Sequence, residues 1–331
     1  MASEESTKSI IAALSANLAI AIAKFVAWLL SSSSSMLAEA IHSVADTGNQ
    51  LVLLIGRRRS KRKADTEHPF GYGGERFVSA FLVAIILFSA GGLFALYEAY
   101  EKFHDPHGIT GPWWWVPLAV IVFAIIAEGL SLRTAIKQSA RARGRRGLLS
   151  FVRSTKNPEL PVVLLEDTAA LLGLTFALLG VGLTILTGDG RFDAAGTAAI
   201  GVLLVVIAVI LAAETRSLLL GESASKANVQ AIRGAVANAD TELVHLRTMH
   251  VGPEELLIAL KIVVAPDATG AQIADHIDRL EKDIRAAVPL RSLIYIEPDI
   301  KRRALPADPE SAGLQSPEQP GRTPASPAPP E

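Results

Sequence analysis

Six apolar stretches occupy the first two thirds of the chain: Ser9–Leu30, Met36–Gly56, Phe77–Tyr97, Trp113–Leu132, Pro161–Leu186 and Phe192–Ala213. Each has about the 20 residues that a helix needs to cross a hydrocarbon layer roughly 30 Å thick. The cluster Trp113-Trp114-Trp115 fits an interfacial aromatic belt at the start of the fourth stretch. After Glu214 the pattern changes. Residues 227–237 read as a helix, and 242–251 and 255–265 as strands joined by the turn Gly252-Pro253-Glu254. Residues 271–287 carry Ile273, Ile277, Leu280 and Ile284 at helical spacing, and 291–297 reads as a closing strand. An α-β-β-α-β order of this size suits a small α+β sheet with helices on one face. The expected architecture is an α-helical membrane protein: a short segment 1–8, six transmembrane helices over 9–213, a small α+β domain over 214–303, and a disordered Pro- and Ser-rich tail over 304–331.

Composition supports the membrane class, with 50% hydrophobic and 20% charged residues. The formal net charge of −1 conceals a segregation along the chain. Basic residues crowd Arg57–Lys63, and Lys137, Arg141, Arg143, Arg145, Arg146, Arg153 and Lys156 follow the fourth span. The alternate loops are nearly devoid of them, with none in Ser31–Ser35, Lys102 in the next and Arg191 in the last. The positive-inside rule therefore places both termini and both basic loops in the cytoplasm. Between spans, such runs set topology, so no nucleic-acid partner is expected. The chain has no cysteine, which removes disulfides, thiolate metal sites and a cysteine nucleophile. The first residues show neither a signal-peptide pattern nor a transit peptide, so the expected location is a bacterial plasma membrane.

Against this apolar background the second span stands out, because it carries Glu39, His42 and Asp46. His42 and Asp46 are four residues apart on one helical face, and Glu39 lies three before His42 on the same stripe. Ionisable groups inside a bilayer are costly and mark ion or proton pathways. An imidazole and a carboxylate one turn apart suit a divalent first-row metal, and a helix-stabilising His–Asp pair in the bundle is the plainer alternative. Glu166 and Asp167 lie in the fifth span, pointing about 100° apart on a helix. Two readings stand for them: buried metal ligands, or an interfacial first turn opened by Pro161. Glu128 in the fourth span is either a proton-pathway carboxylate or the partner of a neighbouring helix.

Here a family resemblance becomes specific. The motif Ala38-Glu-Ala-Ile-His-Ser-Val-Ala-Asp46, the motif Glu67-His-Pro-Phe-Gly-Tyr-Gly-Gly-Glu75, the Asp167-to-Gly173 spacing and the α-β-β-α-β tail together resemble the cation diffusion facilitators. The Leu-Glu-Asp-Thr-Ala-Ala run over 165–170 is similar to the subgroup that includes a eukaryotic mitochondrial zinc exporter. The resemblance implies a six-helix transporter with a ferredoxin-like cytoplasmic domain, acting as a homodimer in the lipid bilayer. It implies proton-coupled efflux of a divalent metal, foremost Zn²⁺, with Mn²⁺ or Fe²⁺ as the alternative. Metal and H⁺ would be passing ions, with no permanently bound cofactor and no enzyme activity. His42, Asp46 and Asp167 are the implied ligands. Val163 stands where the family usually has a histidine, so Glu166, Glu39 or a water would have to supply the fourth ligand. An auxiliary site at Asp65 and His68 is implied in the same way, with a structural turn as the alternative. His245, His250, Glu297 and Asp299 resemble scattered partners of regulatory metal sites. Three further readings of the residues remain: a non-transporting metal-sensing or regulatory membrane protein; a passive channel, against which the polar residues concentrate on two helices; and a membrane hydrolase, for which no His-Glu-x-x-His motif is present.

Overall fold

Helices form over all six apolar stretches, and most of them run past the apolar residues that predicted them. The structure is a computed structural model and describes residues 2–143, 156–157 and 159–300. The helices are α1 (Ala2–Ser31), α2 (Ser34–Arg59), a third span built of α3 (Glu75–Ile86) and α4 (Phe94–His104), α5 (Val116–Arg143), α6 (Glu159–Thr187) and α7 (Arg191–Leu220). The extension of α2 is physical: Arg57, Arg58 and Arg59 fill its last turn, where cations complement the partial negative charge of a helix C-terminus. The basic positions Arg145, Arg146 and Arg153 and the tail beyond 303 lie outside the described residues.

Among the described residues four helical segments are long and apolar enough to cross a membrane: Glu75–His104, Val116–Lys137, Pro161–Thr187 and Arg191–Leu220. In α1 only Asn17–Ser31 counts towards that test. α2 fails it for a different reason. It is the inner helix, packed against α1, α3, α6 and α7, and it buries Glu39, His42 and Asn49 as well as apolar residues. A helix enclosed by other helices has no need of an apolar circumference. α5 lies at the other extreme, with Val122, Phe123, Ile126 and Leu130 turned outward.

Two local features position the bundle. Between α3 and α4, Leu87–Leu93 winds as a π-helix, a distortion that sequence periodicity did not foretell. Its glycines allow close packing. A Cβ on Gly92 would lie 2.7 Å from Val205, and one on Gly91 would lie 3.1 Å from Leu204 and 4.0 Å from His42 Nδ1. The second feature is the serine run before α2. Asp193, fully buried near the start of α7, accepts from the backbone N–H groups of Ser34 (2.8 Å) and Ser35 (3.2 Å) and from the Ser33 hydroxyl (2.9 Å). A carboxylate thus caps the positive end of α2.

The second unit has its own apolar core. α8 (Lys226–Asn238), β1 (Leu243–Gly252), β2 (Glu255–Val264), α9 (Gly270–Ala287) and β3 (Arg291–Ile300) form a three-stranded sheet of order β1-β2-β3. β1 and β2 pair antiparallel, while β2 and β3 pair parallel across the α9 connection. Alternate residues Leu256, Ile258, Leu260 and Ile262 of β2 are buried with Ile232 and Val236 of α8 and Leu280 and Ile284 of α9. A Thr269–Gln272 capping box starts α9. β3 runs three residues beyond its predicted end despite Pro298, because an edge strand tolerates a missing N–H.

Candidate metal-transport site

α6 begins at Glu159, so Pro161 sits in its first turn, where its missing N–H costs nothing. Glu166 and Asp167 consequently lie two turns inside the helix, past any first-turn position. This brings them opposite the polar face of α2. Asn17 of α1, Ser43, Asp46 and Gln50 of α2, Glu128 and Ser131 of α5, and Val163, Glu166 and Asp167 of α6 enclose a cavity of about 20 Å³. That is room for one water or one small cation. Four carboxylates from three helices share its wall.

His42 stands behind Asp46, with Nε2 3.6 Å from Asp46 Oδ2. Its ring is 1% exposed, and neither ring nitrogen has a hydrogen-bond partner; Asp46 Oδ1 is also buried and unpartnered. Each such buried orphan costs about 1–3 kcal/mol unless something completes it. One imidazole nitrogen and the Asp46 oxygen make a mixed N/O donor pair of the kind a divalent first-row ion takes, while the other ring nitrogen carries the imidazole proton.

Asp167, Glu166 and Glu39 already have partners. Ser131 Oγ donates to Asp167 Oδ2 at 3.0 Å, and Asn49 Nδ2 donates to Glu166 Oε1 at 2.7 Å. Glu39 is fully buried and accepts from the Lys24 ammonium at 2.8 Å, and it does not line the cavity. In this arrangement no three His, Asp or Glu side chains among the described residues close on one point. Of the expected ligands, Asp46, Glu166 and Asp167 line the cavity, and His42 and Glu39 do not. Val163 lines that cavity, at the position where the family resemblance expects a histidine.

Elsewhere the candidate residues are engaged in local structure. Asp65 Oδ1 accepts from the backbone N–H groups of His68 (2.8 Å) and Glu67 (3.1 Å), and Tyr72 donates its hydroxyl to Asp65 Oδ2 at 2.7 Å. The Tyr72 bond holds the Asp65 carboxyl below the ordinary range. His68 stacks on Tyr72 at 4.3 Å, and the Arg62 guanidinium lies 4.7 Å from the centre of the Tyr72 ring. These contacts make a tight turn leading into α3. On the sheet, Lys261 Nζ lies 3.0 Å from Glu297 and 3.1 Å from Asp299, so an ammonium occupies the acid pair. His245 is exposed and paired in register with Lys261, which places a cation beside it. His250 is buried far from these three in register, with Nε2 unpartnered, and burial lowers its pKa. The four sheet residues do not come together.

Lys24 was missed from the sequence, as were Asn17 and Ser131. The signal existed: Asn17 and Lys24 are seven residues apart, two turns on one face of an otherwise apolar helix.

Residues 10–220 match the family of cation efflux transmembrane domains. The chain is 32% identical over 218 residues to the mitochondrial proton-coupled zinc antiporter SLC30A9 of Homo sapiens, a match covering 65% of this chain and 38% of that protein. It is 30% identical over 224 residues to metal tolerance protein C4 of Arabidopsis thaliana, covering 66% and 48%. Against the zinc transporter ZitB of Pectobacterium atrosepticum it is 32% identical over 120 residues, covering 36% and 35%. The match thus spans less than half the length of each of these relatives. The family match, by contrast, takes in the whole bundle and more than half of the chain, and it shows that this chain belongs to the cation efflux family.

Proposed function

We propose that the protein exports a divalent metal ion, foremost Zn²⁺, across a membrane in exchange for protons. The observation that carries this reading is the cavity between α2, α5 and α6, walled by Asp46, Glu128, Glu166 and Asp167 beside the unpartnered His42. The names of the human and bacterial relatives, a proton-coupled zinc antiporter and a zinc transporter, support the ion and the coupling. We assign Asp46, Asp167 and His42 as ligands and Glu166 as the carboxylate that replaces the histidine absent at Val163. Glu128 serves as the proton-carrying wall of the cavity.

Exchange follows from the donor set. A metal requires neutral imidazole and ionised carboxylates, so protons leave as the ion binds and expel it as they return. Alternating access would rock the helices about the cavity, exposing it to each side in turn. The asymmetry of basic loops supports cytoplasmic placement of both ends of the chain and of the sheet domain. Two copies would act together as a homodimer. In a sealed liposome assay, purified protein should move Zn²⁺ in response to a pH gradient. Asp46→Ala and Asp167→Ala should each reduce the flux at least about 100-fold, since each removes a charged ligand that no neighbour replaces. Undiminished flux in both variants would remove the proposed site, and flux indifferent to the gradient would point to a channel.

A further inference from the structure

Lys24 is the one charged residue of α1 between Asn17 and Ser31, and it is completely buried. Its ammonium donates to Glu39 Oε2 and to Ser43 Oγ, each at 2.8 Å. Ser43 lines the carboxylate cavity, so the ammonium stands one hydroxyl away from it. The far oxygen of Glu39 has no hydrogen-bond partner and is held against α6 where Gly173 leaves space; a Cβ there would lie 2.6 Å from it. Three helices thus fix one ion pair directly behind His42 and Asp46.

A buried ion pair seldom adds stability over an apolar pair, so its presence calls for another role. We infer that Lys24 is a positioning and selectivity-determining residue: a resident cation that holds Glu39 out of the transported ion's ligand set. Without it, a carboxylate one turn before His42 would face the same ion as Asp46. The site would gain a negative charge and an oxygen ligand, grip the metal more tightly and favour harder ions. With it, the charge around the ion stays low enough for release. The bare ammonium left by removing Glu39 would do the opposite and repel a divalent ion.

This inference rests on Asp46 and Asp167 being the transport site, and its test separates the two. Equilibrium Zn²⁺ and Mn²⁺ binding to the detergent-purified full chain is read together with KM and maximal flux in liposomes. Lys24→Gln should bind Zn²⁺ at least about tenfold tighter with a lower maximal flux, and should narrow the Zn²⁺-over-Mn²⁺ preference. Glu39→Gln should weaken binding at least about tenfold. The double variant Lys24→Gln/Glu39→Gln should return towards the parent, and Lys24→Arg should resemble it throughout. Shifts of opposite sign in the two single variants are what a purely structural pair cannot produce, because both changes would then weaken binding. Equal weakening, or affinity unmoved in all variants, overturns the inference. If Lys24→Gln does not fold, recovery of Glu39→Gln by the double variant decides. Parent-like binding in Asp46→Ala would instead indict the site itself.

Discussion

Val163 is the one apolar side chain among the residues lining the cavity, whose other walls are polar or acidic. It lines the same cavity as Glu166 and Asp167, one turn before Asp167 on α6. Replacing its isopropyl group with imidazole adds a softer donor where the present wall offers carboxylate oxygen, and borderline ions such as Zn²⁺ gain most from that exchange. We expect Val163→His to raise the Zn²⁺-over-Mn²⁺ preference at least about tenfold in competition flux assays. An unchanged preference would mean that the α6 face carrying Val163 never meets the ion. At this scale the sequence was informative about the acidic and histidine residues in apolar surroundings, since the cost of burying them singles them out, but it passed over Lys24, which is buried just as fully. It was least informative about their neutral partners. Ser131 and Asn49, which hold Asp167 and Glu166, are ordinary helix residues until a second helix is placed beside them. Asp65 shows the converse. Its spacing to His68 suits a metal and a turn equally, and only the hydrogen bonds from Glu67, His68 and Tyr72 show how it is used.

Helix length and order were legible because they depend on hydrophobic runs, breakers and charge at helix ends. The π-helix and the capping of α2 were not, because each is imposed by another helix. A glycine inside a helix ordinarily costs stability, yet Gly91 and Gly92 bring the third span against Leu204 and Val205 of α7. The serines before α2 read as a plain linker. In the fold they deliver the helix's first N–H groups to Asp193, which lies 159 residues beyond Ser34 in the chain. That cap makes a prediction about the bundle. Asp193→Ala strands two buried backbone donors and the buried Ser33 hydroxyl, and bonds to a charged group are worth about 1.5–3 kcal/mol each. A loss of about 3 kcal/mol or more is expected, lowering the melting temperature in detergent by roughly 6–12 °C for a domain of this size. Asp193→Asn keeps an acceptor and should recover part of that loss. A melt unmoved by Asp193→Ala would mean that the start of α2 is held by packing alone.

Across the whole molecule, the bundle and the sheet unit meet around Arg76. Its guanidinium donates to Glu159 at the start of α6 at 2.7 Å, to Asn157 at 3.3 Å, and to Glu254 in the β1–β2 turn at 3.3 Å. Beside it the backbones of Gly73 and Gly252 touch; a Cβ on Gly252 would lie 2.8 Å from Gly73 Cα. Lys156 pairs with Glu222 just after α7. A cleft of about 720 Å³, lined in part by Arg57, Lys61, Glu255 and Arg291, opens next to these contacts. The two Arg76 ion pairs differ in surroundings, and their weights differ with them. Glu159 is 20% exposed and Glu254 80% exposed. An exposed pair contributes about 0–1 kcal/mol, whereas stripping the partner from a mostly buried charge costs about 3–5 kcal/mol, less here because Glu159 still reaches water. Arg76→Ala should therefore cost about 2–3 kcal/mol in chemical or thermal unfolding, and Glu254→Ala less than about 1 kcal/mol. Hydrogen exchange adds the spatial readout. Arg76→Ala should speed exchange at the starts of both α3 and α6, because one guanidinium holds both. Glu254→Ala should speed it only in the β1–β2 turn. Equal costs for the two variants, or faster exchange confined to the turn in both, would mean that Arg76 serves the sheet contact and that α3 and α6 are joined without it.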